Sequence, residues 1–301
     1  MSYQAYRSMH PYQLYTNDPV SKTTEQTRGV RESYAPTRTG IEPSPRLWLS
    51  RFWRTIHVMA CTYSPTSNKV RDSYKCFYQS MANILPTVEA RGIMLEFLHM
   101  PKSVQETLSE DKTLTTFFAV YGEDRLYGQV QTRLLQSPST FFVTSLRDDH
   151  TLFAWTYLFH AYYNLRTGSQ VETLHFLETT YSRSQVTKDV WGNPLWALIH
   201  FCAYYAPAIP DKSWKLSFKA FISCLMIALP CSMCRANLEQ NLTTLDIDQY
   251  LTTREGVFEY TVELHNMVNL ETKKPPLTIE EAKRIYAPQD QAIMRQNSYN
   301  R

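Results

Sequence analysis

Cys231 and Cys234 are separated by two residues, the closest spacing of any two cysteines in this chain. Cysteines at positions i and i+3 of a helix lie on one side of it, close enough to form a disulfide. Such a pair could exchange disulfides with other thiols, bind a metal ion, or simply pack. A structural zinc site needs four ligands, and without a second cysteine pair it would have to use histidines such as His200 and His265. The spacing alone leaves these three alternatives open.

The residues around the pair favour redox chemistry. Pro230 stands directly before Cys231, where it ends the preceding apolar segment and leaves the cysteines near the start of a new helix. Free amide groups and the positive end of the helix dipole stabilise a thiolate at such a position and lower its pKa. Arg235 adds a positive charge.

The elements that position the pair are predicted to be helices. Apolar residues recur at spacings of three and four in segments such as "LWLSRFWRTIHVMA" and "FKAFISCLMIAL", and no sustained alternation occurs. The chain has only 8 glycines, so few turns need a positive φ. These features predict an all-α protein built as a helical bundle.

Three ordered matches indicate an internal repeat. "WRTIHVMACTYSP" matches "WALIHFCAYYAP", "LPTVEAR" matches "LPCSMCR", and "FAWTYLFHAYYNLRT" matches "FEYTVELHNMVNLET". We therefore predict a flexible N-terminal tail (1–46), a first helical domain (47–180), a related second domain (181–290) and a C-terminal tail (291–301). The first domain is degenerate, since Thr87 and Ala90 stand where the second has the cysteine pair.

The second domain carries a motif set that strongly resembles the Erv/ALR family of FAD-linked sulfhydryl oxidases. The motifs are Gly-x-x-x-Trp-x-x-x-His, Pro-Cys-x-x-Cys-Arg, His-Asn-x-Val-Asn and Lys-Pro, with one aromatic residue after the first motif and one after the last. Besides Cys231 and Cys234, the matching positions are Gly192, Trp196, His200, Tyr205, His265, Asn266, Val268, Asn269, Lys274 and Tyr286.

The resemblance implies that these ten positions bind FAD within a helical bundle. Trp196, Tyr205 and the two histidines would offer flat faces to its rings, the asparagines would bond its polar edges, and Lys274 would offset pyrophosphate charge. It further implies that Cys231 exchanges disulfides with thiol-containing protein substrates. Cys234 would then pass electrons to the flavin, and molecular oxygen would accept them as hydrogen peroxide.

The resemblance also implies a larger arrangement. Family members commonly dimerise through their helical units, so the degenerate first domain would act as a built-in partner and form a pseudo-dimer. A homodimer of the whole chain is a further candidate. Larger forms of this kind resemble those of large DNA viruses of invertebrates, which implies work in a host cytoplasm or nucleus, or in the virion.

Composition limits the other classes of function. The net charge of only +3 gives no strong field for nucleic acid or an anionic membrane. No signal peptide and no apolar run of transmembrane length is seen, so no membrane association is expected. The alternative to an oxidase is a helical scaffold whose cysteine pair binds zinc or is inactive.

Overall fold

The computed structural model describes residues 42–99, 106–108, 111–112, 114, 138–182 and 186–287. Within these ranges the regular secondary structure is helical and no strand occurs, which confirms the predicted all-α fold. Both predicted tails lie outside the described residues, apart from 42–46. The helices are α1 (Pro45–Cys61), α2 (Asn68–Ile84), α3 (Val88–His99), α4 (Pro138–Ser145), α5 (Asp149–Arg166), α6 (Leu174–Thr180), α7 (Lys188–Tyr204), α8 (Lys212–Ala228), α9 (Ser232–Thr244), α10 (Arg254–Glu271) and α11 (Ile279–Tyr286).

Polar side chains at the helix starts explain where many of these helices begin. Each accepts a hydrogen bond from a backbone amide of the first turn, which otherwise lacks a partner. Asp148 and Thr278 also belong to capping boxes, in which the third helical residue bonds back to the cap. The capping residues are Ser67, Asp148, Thr173, Asp211, Thr253 and Thr278. None of the described helices is both long and apolar enough to cross a membrane.

Helices α1 to α6 form what we call the first unit. α5 packs against α1, α3, α4 and α6, while α2 packs against α3. Large aromatic side chains fill the centre: Trp48, Phe52, Trp155 and Phe159 are at most 1% exposed. Burying such rings provides much of the hydrophobic stabilisation of a helical core.

Helices α7 to α11 form the second unit, and their contacts correspond to those of the first unit. α10 packs against α7, α9 and α11, and α8 packs against α9. Phe218, Phe221 and Tyr260 are fully buried in its core. This arrangement brings α9, which begins at the cysteine pair, against α10, which carries His265.

The two units contact each other through corresponding helices, with α1 against α7 and α2 against α8. The rings of Phe77 and Phe221 stack across this contact with centroids 5.5 Å apart. The Tyr74 hydroxyl donates to the Ala228 carbonyl at 3.1 Å, and Asn83 Nδ2 donates to an oxygen on α8 at 2.9 Å. Aromatic stacking, one buried hydrogen bond and one partly buried hydrogen bond therefore hold the two units together.

Candidate active site

Cys231 and Cys234 form a disulfide at the start of α9, with their Cα atoms 5.2 Å apart. Cys231 is the N-cap residue, and its sulfur accepts a hydrogen bond from the Cys234 backbone amide at 3.2 Å. Both cysteines are half-buried, whereas Met233 between them is 65% exposed. The structure thus places the pair at a helix N-terminus that solvent reaches.

A positive charge lies within one turn of the pair. Arg235 donates from its guanidinium to the Leu229 carbonyl at 2.6 Å, which fixes the side chain beside the loop before α9. The positive end of a helix dipole favours a thiolate at such a position. Arg91 makes the same bond to Leu85 at 2.6 Å in the first unit, so the arginine also closes the loop where no cysteine is present.

Aromatic rings from α7, α10 and α11 gather in a cluster that we call the ring cluster: Trp196, His200, His265 and Tyr286. Trp196 and His265 stack almost parallel, with centroids 4.1 Å apart and planes 3° apart. His200 lies 5.2 Å from His265 and also 5.2 Å from Tyr286. Trp196 and His265 are half-buried, while His200 is only 3% exposed. The stack of Trp196 on His265 is therefore partly exposed to solvent, whereas His200 is enclosed.

Hydrogen bonds fix the two histidines in the ring cluster. His200 Nδ1 lies 2.9 Å from Thr261 Oγ1, and His200 Nε2 lies 2.9 Å from His265 Nδ1. Burial lowers the pKa of His200 to about 3, helped by His265. Burial lowers the pKa of His265 to about 4, helped by the Lys274 ammonium group. Both imidazoles are neutral at pH 7.

Asn266 ties the segment between α10 and α11 to the ring cluster. Its Nδ2 donates to the Leu277 carbonyl at 2.8 Å, and its Oδ1 accepts from the Leu277 amide at 2.9 Å. Asn269 Nδ2 reaches the same Oδ1 at 3.4 Å, and the Asn269 carbonyl accepts from the Lys274 amide at 2.8 Å. The asparagines hold this segment in place beside His265.

Lys274 is exposed and follows Lys273, which adopts a φ of 57° where α10 ends. The turn directs the chain back toward the ring cluster, and Lys274 is close enough to His265 to lower its pKa. A cation at this position can bind an anionic group of a ligand that stacks on the rings.

The remaining predicted positions frame the ring cluster. Gly192 lies one helical turn before Trp196, and a side chain at Gly192 would meet nothing within 4 Å, so the space beside it is open. Val268 is half-buried on the turn of α10 that follows His265. Tyr205 is buried at 6% exposure and donates its hydroxyl to the Tyr286 carbonyl at 3.1 Å, so it supports Tyr286 from behind.

A family model described as the Erv1/Alr family matches residues 193–287, which contain all but one of these positions. A probable FAD-linked sulfhydryl oxidase of Acanthamoeba polyphaga mimivirus is 33% identical over 98 residues, 32% of this chain and 68% of that protein. The chain belongs to the Erv1/Alr family. Its match to the family lies within the second unit.

Further relatives come from other large DNA viruses. A putative FAD-linked sulfhydryl oxidase of Invertebrate iridescent virus 3 is 26% identical over 92 residues, 31% of this chain and 62% of that protein. An FAD-linked sulfhydryl oxidase of African swine fever virus is 29% identical over 113 residues, 37% of this chain and 89% of that protein. No solved structure matches the chain.

The first unit lies outside the Erv1/Alr match yet repeats the ring geometry. Trp53 stacks on His160 with centroids 3.9 Å apart, and His57 lies 4.9 Å from the Tyr181 ring. Here, however, Trp53 and His160 are only 6% and 9% exposed, and the Tyr163 ring packs edge-on against Trp53 at 5.3 Å. The first unit therefore has the same arrangement of rings, but its Trp53–His160 stack is buried.

Sequence reasoning missed Thr261 and Glu271. Thr261 bonds to His200, and Glu271 accepts from Asn237 at 2.7 Å and Asn241 at 2.9 Å, which ties α10 to α9. The repeat contained a signal for Thr261, because Thr156 and Thr261 both stand four residues before a histidine of the matched segments. Glu271 left no such signal, since its equivalent in the first unit is Arg166.

Three of the four zinc ligands that the sequence suggests are committed to other contacts. The sulfurs of Cys231 and Cys234 are bonded to each other, and both ring nitrogens of His200 are hydrogen-bonded. Across the part of the chain that the structure describes, no group of three or more His, Cys, Asp or Glu residues could hold a metal ion.

Proposed function

We propose that this chain is an FAD-dependent sulfhydryl oxidase that forms disulfides in thiol-containing proteins. The observation that carries the proposal is the disulfide at the start of α9, on a helix packed against the one that carries His265 of the ring cluster. The names of its relatives support the same activity, because they are FAD-linked sulfhydryl oxidases.

The site residues fit FAD. The half-buried stack of Trp196 on His265 offers a flat face to an aromatic ring of the cofactor, and the space beside Gly192 is open. Lys274 can bind the pyrophosphate, with its segment held by Asn266. Bound FAD supplies the two-electron acceptor for the reduced cysteine pair and passes these electrons to oxygen, which yields hydrogen peroxide.

The sulfur chemistry is a thiol–disulfide exchange. A substrate thiolate attacks Cys231, forming a mixed disulfide and releasing Cys234 as a thiolate. A second substrate thiolate then attacks the substrate sulfur of the mixed disulfide, so the substrate leaves oxidised and the pair is left reduced. Cys231 faces the substrate in this proposal, and the released Cys234 thiolate faces the flavin. The helix N-terminus and Arg235 stabilise the thiolates that form.

We propose that the first unit serves as a built-in structural partner of the second, giving a pseudo-dimer. The contacts of α1 with α7 and of α2 with α8 support this role, because they pair corresponding helices as a symmetric dimer does. A homodimer of the whole chain would then have to use another surface. The viral origin of the relatives supports work in a host cytoplasm or nucleus, or in the virion.

The first test combines the visible spectrum of the purified protein with oxygen consumption in the presence of a dithiol. The wild type is expected to show flavin absorbance and turnover, whereas Cys234→Ala should keep the flavin and lose turnover. Cys202→Ala is the matched control, because Cys202 is buried in α7 away from the pair. It should lose about 1 kcal/mol of stability and keep turnover. A protein that stays colourless after FAD is added would contradict the proposal.

A further inference from the structure

The Thr261 hydroxyl determines which nitrogen of His200 carries hydrogen. Thr261 is fully buried, and its Oγ1 lies 2.7 Å from the Phe258 carbonyl and 2.9 Å from His200 Nδ1. A carbonyl only accepts, so the single hydroxyl proton goes to Phe258. The hydroxyl must then accept from His200, and the hydrogen of the neutral imidazole is therefore on Nδ1.

The tautomer of His200 in turn determines the tautomer of His265. With its hydrogen on Nδ1, neutral His200 has a lone pair on Nε2, and His265 Nδ1 lies 2.9 Å away and must donate to it. Neutral His265 then carries a lone pair on its own Nε2. Among the described residues, this nitrogen has no hydrogen-bond partner, although its ring stacks on Trp196 in the open part of the ring cluster.

We propose that Thr261 is a positioning residue, which holds His265 through His200 in the form that offers an acceptor nitrogen to a hydrogen-bond donor of FAD. This inference rests on the proposed function. FAD carries such donors on its flavin imide, its adenine amino group and its sugar hydroxyls, whereas its phosphates only accept. The other tautomer would present an N–H to the same donor, which leaves both groups unsatisfied.

The first unit provides a matched control within the same chain. Thr156 Oγ1 donates to the Phe153 carbonyl at 2.8 Å and lies 3.0 Å from His57 Nδ1. His57 Nε2 lies 3.1 Å from His160 Nδ1. This relay repeats the bonds of the second unit but leads to a covered ring face with no cysteine pair.

The test compares Thr261→Val, Thr261→Ser and Thr156→Val in full-length protein labelled with ¹⁵N-histidine. Nitrogen shifts measured after bound FAD has been removed report the tautomers, and titration with added FAD gives its dissociation constant. Thr261→Val should shift His200 and His265 toward their other tautomers and weaken FAD binding about tenfold, because only about a tenth of the molecules would keep the binding tautomer. Thr261→Ser should restore both properties. Thr156→Val should move only the signals of His57 and His160.

Three results would overturn the proposal: unchanged His265 shifts in Thr261→Val, changed shifts with unchanged FAD affinity, or equal loss of affinity in Thr156→Val. Wild-type protein that binds no FAD would contradict the proposed function, and with it the ligand named for Nε2. The two failures are distinguishable, because the shifts measured without FAD still decide whether Thr261 sets the tautomer.

Discussion

The residue at the N-cap of α9 can be compared with its counterpart in the first unit. Cys231 Sγ accepts from the Cys234 amide at 3.2 Å, and Thr87 Oγ1 accepts from the Ala90 amide at 3.2 Å. The hydroxyl and the sulfur take the same capping position, and the hydroxyl is the stronger acceptor of the two. The fold therefore does not need the sulfur at this position, and in the proposed function its redox role is added to a structural one.

Trp196 and its counterpart Trp53 should respond differently to truncation. Trp196→Ala removes the half-buried stacking face and should weaken FAD binding by about 10- to 100-fold, the range that aromatic stacking contributes. Trp53 is 6% exposed, so Trp53→Ala should cost about 3–5 kcal/mol of unfolding free energy. Flavin titration and urea unfolding of both variants measure the two effects. A loss of FAD affinity in folded Trp53→Ala equal to that in Trp196→Ala would contradict this division.

Stability should fall as the pH drops below 6.5. Burial, with His265 nearby, lowers the pKa of His200 to about 3, so between pH 6.5 and that value the unfolded chain binds a proton that the folded protein does not. Stability from this group is thus complete above the unfolded pKa and is lost progressively below it, by about 2 kcal/mol at pH 5. Burial also lowers the pKa of His57, and it lowers that of His160 to about 3, which adds to the loss.

Urea unfolding at pH 7 and pH 5 measures this dependence. His200→Gln should lower stability at pH 7 but show a smaller further loss on acidification than the wild type. His150→Gln is the control, because His150 is exposed. An identical pH dependence in wild type and His200→Gln would show that His200 is not one of the groups responsible.

At the residue scale, the sequence could predict the cysteine pair and the ring cluster, because motif spacing reports which residue types recur together. It could not predict that Tyr205 is buried behind Tyr286 or that the Asn266 amide bonds to Leu277. These contacts depend on how α11 folds back onto α7, which no local pattern specifies.

At the scale of elements, the segment between α10 and α11 depends on Asn266. Asn266→Ala removes both bonds to the Leu277 backbone and should cost about 1–3 kcal/mol, since partly buried polar groups lose their partners. Hydrogen exchange at the Leu277 amide should accelerate, and FAD binding should weaken because Lys274 is no longer held. Asn164→Ala is the control, because Asn164 Nδ2 bonds to the Gln170 carbonyl in the first unit. Slow exchange at Leu277 in Asn266→Ala would refute this role.

Helix boundaries near the site follow from local chemistry that the sequence displays. Pro230 predicts the break after α8, and α9 begins at Ser232 directly after the cap. The turn after α10 is less predictable, because Lys273 adopts a positive φ, which residues with a side chain rarely adopt. The first unit has Gly168 at the equivalent position, where a positive φ is expected. The Lys274 amide closes this turn on the Asn269 carbonyl at 2.8 Å, as the Ser169 amide does on the Asn164 carbonyl at 2.7 Å in the first unit.

At the scale of the whole molecule, the two units should unfold together. Phe77 and Phe221 are fully buried where α2 meets α8, so Phe221→Ala should cost about 3–5 kcal/mol. The loss should appear in one transition, with release of FAD and loss of helix coinciding in urea. Phe176→Ala is the control, because Phe176 is 51% exposed and should change stability little. Separate transitions for FAD release and helix loss would contradict cooperative unfolding of the units.

The repeat predicts two related units but does not show which faces meet. Each helix of the contact presents apolar residues on more than one side, and periodicity cannot assign one side to the partner unit. The stack of Phe77 on Phe221 supplies the missing information, because these residues come from corresponding helices.

Because one chain supplies both sides of the α2–α8 contact, forming it is an intramolecular event. Joining two parts in one chain gives them an effective concentration of about millimolar, whatever the bulk concentration. An oxidase assembled from separate subunits loses its partner on dilution below the dissociation constant. This protein should instead keep its specific turnover at nanomolar concentration, because its two units cannot separate by dilution.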